Sequence, residues 1–126
     1  MTTRKHILII NDESAILQQM RKWLADPEYS LNCTRYGRTG VKMASKTNYD
    51  LILIDYHLDR EEEGAQTART FIPQLHRYNP HTPIVVTSAT ENNLSAENLG
   101  VSKVVTIDCT FWKQLPELVK NVMTTK

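Results

Sequence analysis

This sequence has no surplus of either charge. Its 126 residues hold 15 Lys and Arg against 14 Asp and Glu, a net charge of +1. A dedicated nucleic-acid binder would show a basic surplus or stripe, so no direct nucleic-acid binding is expected. Long apolar runs are missing too. None approaches the roughly 20 residues that span a bilayer, and the run at residues 7–10 is too short for a secretion signal. No membrane association is expected. Cysteine is scarce: Cys33 and Cys109 have neither zinc nor redox spacing, and with no secretion signal both read as reduced thiols of a cytoplasmic protein. Repeats, low-complexity tracts and linkers are absent as well. What is present is a chain 40% apolar, enough for one core, and of a length that fits one domain over residues 1–126.

Residues 7–10, 51–54 and 84–86 are continuous apolar runs, and Val104 and Val105 begin a shorter fourth. Such runs suit strands covered on both faces, as in a parallel sheet. Residues 29–34 are more mixed and read as an edge strand. Helical spacing lies between them. Ile16, Leu17, Met20 and Leu24 form one stripe, with Ser14 as its expected N-cap. Val41 and Ala44 mark a short helix before Asn48. Residues 65–78 carry Ala68, Phe71, Ile72 and Leu75, with Pro73 expected to kink or divide the helix. A short helix is expected within residues 91–99. Leu115, Leu118, Val119 and Val122 form a C-terminal helix in which Pro116 is tolerable only in the first turn. Strand and helix thus alternate about five times. The expected fold is α/β, a doubly wound five-stranded parallel sheet with helices on both faces.

Sheets of this kind bind ligands outside the carboxyl ends of their strands. There the first strand gives Asn11, Asp12 and Glu13, the central one Asp55, and the next Ser88. Two carboxylates a few ångströms apart repel unless a positive charge lies between them. A hard divalent cation such as Mg²⁺, with few protein oxygens and retained waters, meets that need. A carboxylate in such a site can attack a phosphoryl group and form an aspartyl phosphate, and a Ser88 hydroxyl could donate to a phosphoryl oxygen. Taken singly, strand-end Asp residues more often cap the following helix.

The stretches ILIINDESAI (7–16), YDLILIDYHL (49–58), TPIVVTSA (82–89) and GVSKVVTID (100–108) together resemble the receiver domain of bacterial two-component response regulators, over essentially the whole chain. The resemblance implies a flavodoxin-like fold and a role in phosphorelay signalling. It places Asp55 as phosphoacceptor and Asp12 as the direct Mg²⁺ ligand. His57 would bind the metal through its backbone carbonyl, and Asn11, where the family usually has Asp, through water. Ser88 matches the hydroxyl that contacts the phosphoryl group, and Ala89 the small residue beside it. The implied partners are a histidine kinase or phosphotransfer protein and an output domain or downstream protein. Any catalysis is limited to self-phosphorylation from a phosphodonor and autodephosphorylation.

The sequence also departs from the pattern. Ile107 and Asp108 stand where the family has Lys-Pro, and Val104 where it has the switch aromatic. Lys103 is adjacent but should point to a different face. The lost charge-assisted hydrogen bond is worth about 1.5–3 kcal/mol. The loop after Asp55 is longer than usual and acidic, with Glu61, Glu62 and Glu63. Three readings follow: a phosphorylatable receiver with altered output, a phosphorylation-independent pseudo-receiver acting as a protein interaction module, and an enzyme or cofactor binder on the same fold. The last is disfavoured. Asp55-Tyr56-His57 begins a cobalamin-type pattern that Arg60 breaks, and Asn11-Asp12-Glu13 would repel the phosphate of a flavin loop.

Overall fold

The runs at residues 7–10, 51–54 and 84–86 form strands buried on both faces, and the shorter run at Val104 and Val105 forms a half-buried edge strand. A computed structural model describes residues 4–58, 66–89 and 94–124. Its elements are β1 (Lys5–Ile10), α1 (Ser14–Trp23), β2 (Tyr29–Thr34), α2 (Gly37–Ala44), β3 (Leu51–Asp55), β4 (His57–Leu58), β5 (Gln66–Thr67), α3 (Ala68–Tyr78), β6 (Ile84–Ser88), α4 (Ala96–Leu99), β7 (Lys103–Thr106) and α5 (Phe111–Thr124). Five strands make one parallel sheet in the order β2-β1-β3-β6-β7. The expected doubly wound sheet is therefore present, with residues 29–34 at one edge.

Side chains alternate across each strand, and the two core clusters follow that alternation. Ile7, Ile9, Leu51, Leu53 and Val85 pack with Leu17 and Met20 of α1 and with Phe111, Leu115 and Val119 of α5. Leu8, Ile10, Ile52, Ile54, Ile84 and Val86 pack with Ala44 of α2, with Phe71, Ile72 and Leu75 of α3, and with Leu99 of α4. Helices α1 and α5 thus cover one face, and α2, α3 and α4 the other. Full burial of each such aliphatic side chain contributes about 1.5–3 kcal/mol.

Three local expectations change. Ser14 is already the first helical residue of α1, so it cannot act as the N-cap; Glu13 holds that place without a side-chain cap. Helix α3 runs undivided through Pro73. Pro73 and Arg69, whose carbonyl lost its helical partner, are both on the exposed side, where water can replace the missing bond. Helix α5 starts early, at Phe111, so Pro116 falls in its second turn, again on the exposed side. His76 bonds through Nε2 to the Gly100 carbonyl at 2.7 Å and ties α3 to the end of α4. That end needs glycine: Gly100 has φ 70°, and the following amide, Val101 N–H, closes onto the Ala96 carbonyl at 3.0 Å.

The antiparallel β4–β5 pair, with His57 opposite Thr67 and Leu58 opposite Gln66, was not foreseen. Leu58 is buried. The acidic run Glu61–Glu63 lies outside the described residues. So does the start of the segment expected to be helical at 91–99, whose described helix is α4, capped by the Ser95 hydroxyl accepting from Asn98 N–H at 3.3 Å.

Candidate functional site

The sheet register brings the expected residues to one end. Ile10 pairs with Ile54, so Asn11 and Asp55 are the next neighbours along β1 and β3. Asp55 pairs with Thr87, and Ser88 with Thr106. Asn11, Asp12, Thr87 and Ser88 are buried, while Asp55 is half-buried and so within reach of a ligand. The strand end therefore holds one buried carboxylate, one accessible carboxylate and two buried hydroxyls.

Local bonds fix each part. Asn11 continues the ladder by donating its N–H to the Thr34 carbonyl at 3.1 Å. Its Oδ1 accepts from Glu13 N–H at 3.0 Å, which turns the chain into α1. Tyr56 N–H extends the β3–β6 pairing to the Thr87 carbonyl at 2.8 Å, and the Tyr56 carbonyl accepts from Ala68 N–H at 2.8 Å. The start of α3 is thereby pinned beside Asp55. Arg69 donates through Nε to the Tyr56 hydroxyl at 3.1 Å, and the Tyr56 and His57 rings meet edge to face at 5.0 Å.

Two contributors were missed in the sequence. Thr87 donates its hydroxyl to Asp55 Oδ1 at 3.3 Å. The Thr87-Ser88 pair was visible, but strand alternation decides which hydroxyl shares the face of Asp55: Thr87 falls in step with Val85, and Ser88 with Val86. Arg35, directly after β2, donates through Nε to the Asp12 backbone carbonyl at 3.2 Å. Nothing in local sequence marks it, since the contact depends on β2 pairing with β1.

The departures also have structural counterparts. Ile107 is half-buried and packs on the α1–α5 core, and its N–H is committed to the Ser88 carbonyl at 2.7 Å. Val104 packs against the opposite core. Lys103 pairs with Val85, three positions before Ser88 meets Thr106. That is about 10 Å along the strand, so Lys103 lies far from the Asp55 end.

Among the described residues no three His, Cys, Asp or Glu side chains cluster as a metal cage. The donors that do share the strand end are the carboxylates of Asp12 and Asp55, with backbone carbonyls and Asn11 near them. That hard-oxygen set fits an ion that keeps several of its waters, as Mg²⁺ does.

Doubly wound α/β proteins bind their ligands outside the carboxyl ends of the strands, which is where this chain brings Asp12 and Asp55. Residues 7–109 match the family model described as the response regulator receiver domain. The chain belongs to the response regulator receiver domain family. The cell cycle response regulator CtrA of Brucella ovis is 30% identical over 82 residues, which are 65% of this chain and 33% of that protein. The chain thus spans about a third of the length of the curated relatives it matches. Among solved structures, the phosphorylated cyanobacterial phytochrome response regulator RcpA superposes with a TM-score of 0.81 at 17% identity, covering 98% of this chain and 97% of that one. The response regulator TrrA of Thermotoga maritima, solved with Mg²⁺ and BeF, gives 0.76 at 21% identity over 94% and 98%. These similarities establish the shared fold. No helix among the described residues is long and apolar enough to cross a membrane.

Proposed function

We propose that this receiver accepts a phosphoryl group on Asp55 from a histidine kinase or phosphotransfer protein and passes the signal to an output domain or downstream protein, with residues 1–126 acting as one domain. The observation that carries the reading is the setting of Asp55. It is the half-buried carboxylate at the end of the central strand, with Asn11 beside it on β1 and the Thr87 hydroxyl on its Oδ1 at 3.3 Å. An Asp55 carboxylate oxygen attacks phosphorus, a P–O bond forms and the donor's P–N bond breaks. The departing imidazole takes up a proton. Thr87 orients the attacking carboxylate, and Ser88 offers a hydroxyl to a phosphoryl oxygen. Asp12, Asp55, the His57 carbonyl and Asn11 through water would hold Mg²⁺, which when bound neutralises charge on the transferring group.

The experiment is intact-mass analysis after incubation with Mg²⁺ and a small phosphodonor. One added phosphate that disappears in Asp55→Asn is the expected result; no adduct at any Mg²⁺ concentration refutes it. One observation favours the phosphorylation-independent interaction module instead. Ile107 offers the site an apolar side chain already packed in the core, so phosphate would find no lysine there to draw inward. The same mass measurement separates the two.

A further inference from the structure

Asp12 is a buried carboxylate, and burying a carboxylate is costly unless positive charge or hydrogen bonds compensate it. The family's cation enters from the β7 side, where this chain has Ile107. In the sheet order β2-β1-β3-β6-β7, the two edge strands stand equally far from the central Asp55 strand, but only β2 adjoins β1 and hence Asp12. The residue directly after β2 is Arg35. It is half-buried, and its Nε–H donates to the Asp12 backbone carbonyl at 3.2 Å. The preceding contact, Asn11 N–H to the Thr34 carbonyl at 3.1 Å, holds the two chain segments in that register. On its other side Arg35 borders a groove of about 380 Å³ with Leu17, Arg21 and Tyr36.

We propose that Arg35 is the resident counter-cation of the acidic pocket, tethered at Asp12 and lowering the affinity of the site for a divalent metal. This rests on the metal-binding part of the function proposed above. Two carboxylates and a fixed guanidinium carry a net charge of −1 where the carboxylates alone carry −2, so a divalent ion is held less strongly. Arg35 acts on the metal through Asp12 and is a positioning residue, not a catalytic one. Its effect has a sign that a structural role lacks: removing the charge strengthens metal binding. Loss of a mere strut would loosen Asp12 and weaken binding.

The test is titration of the whole chain with Mn²⁺, read by the electron paramagnetic resonance of the free ion. The series is wild type, Arg35→Met, Arg35→Gln, Arg35→Lys and Lys103→Met, with Asp12→Ala as baseline. Arg35→Met and Arg35→Gln should each bind Mn²⁺ about three- to tenfold more tightly than wild type. The Gln variant keeps a donor for the Asp12 carbonyl without the charge, and it serves if the Met variant fails to fold. Arg35→Lys should stay within about twofold of wild type, and Lys103→Met should match it. Melting temperature adds a second readout, since Mg²⁺ should raise that of Arg35→Gln more than that of wild type. Unchanged or weaker binding in both uncharged variants overturns the proposal. If wild type binds no better than Asp12→Ala while Arg35→Gln does, Arg35 keeps its role and a resident Mg²⁺ in the wild-type site is refuted. If none exceeds the baseline, both fall. Phosphate uptake by mass decides the Asp55 reading independently.

Discussion

Replacing Asn79 by alanine should cost about 3 kcal/mol of folding stability, because one buried amide closes three chain segments. Its Oδ1 accepts from Tyr49 N–H at 2.6 Å and from the Thr82 hydroxyl at 3.4 Å. Its Nδ2 donates to the carbonyls of Ala44 at 2.8 Å and Thr47 at 3.3 Å. Asn79 is only 2% exposed, and Tyr49 and Ala44 are almost as deep. Truncation leaves the Tyr49 N–H and the Ala44 carbonyl buried without this partner, each at about 1–3 kcal/mol. Thr47 and Thr82 are half-buried and can turn to water. A polar groove of about 540 Å³ borders Asn79 and Tyr49 and admits solvent, which favours the middle of the range over its top. With a urea slope of about 2 kcal/mol/M, the unfolding midpoint should fall by about 1.5 M. Thermal unfolding should drop by about 10 °C. A midpoint shift under about 0.5 M with an unchanged slope would refute the assignment of Asn79 as the clasp.

Asn79→Asp sharpens the same case. A carboxylate can still accept from Tyr49, but it cannot donate to the two carbonyls, so burial favours its protonated form and raises its folded-state pKa. A group raised in this way contributes stability below its ordinary pKa of about 4 and loses it as pH rises through the folded value. The variant should therefore lie nearer to wild type at acid pH than at neutral pH, with both compared at each pH.

Gly37→Ala should destabilise by about 1–3 kcal/mol in thermal unfolding, because its Cβ would meet the buried Phe71 ring at 2.3 Å; a gain in stability would count against the close approach of α2 and α3. Asp108 holds the start of α5 through Oδ1, accepting from Thr110 N–H at 3.0 Å, the Thr110 hydroxyl at 2.8 Å and Phe111 N–H at 3.1 Å. The Thr110 side-chain bond comes first among the causes that lower its pKa. Its stabilising contribution is therefore present above the ordinary carboxylate pKa and is lost as pH falls through the folded value; a fall in hydrogen-exchange protection at the start of α5 on acidification, relative to the intrinsic exchange rate at each pH and absent in Asp108→Ala, is the expected observation. Adding Mg²⁺ and beryllofluoride to labelled protein should shift the amides of Asp12, Tyr56, Thr87 and Ser88 well beyond those of Val104 and Val105, since Ile107 brings no charge to the pocket. Comparable shifts at both places would show that an intact relay operates by another route.

The sheet and its acidic end were legible because their signals are local. Three apolar runs announce strands covered on both faces, and the residues after each run fall at the ligand-binding end whatever the rest of the chain does. Asn11 and Asp55 directly follow their runs, and Asp12 and Ser88 stand one residue further along than Asn11 and Thr87. The β4–β5 pair was not legible, because two-residue strands carry no periodicity to read. Pro73 does not divide α3 and Pro116 is accommodated in the second turn of α5, and both prolines lie on the exposed side of their helices.

Charge in the pocket was the least legible property of all. A lysine sought at position 107 is a question about one strand end, and sequence answers it with isoleucine. The cation at Arg35 depends instead on which strand lies beside β1, a fact of sheet order. Arg35 is 23 residues from Asp12 and follows a mixed edge strand with no motif of its own. A missing residue in a strand-end site therefore shows only that one strand has stopped supplying its part. Whether the site has lost the charge, or draws it from a neighbouring strand at a different distance from the reacting carboxylate, is settled by the register. Here the guanidinium is bonded to the Asp12 backbone, on the far side of β1 from the Asp55 strand. A charge so placed acts first on the metal-binding carboxylate and only at longer range on the phosphoryl acceptor, which is why metal affinity is the property that Arg35 should control.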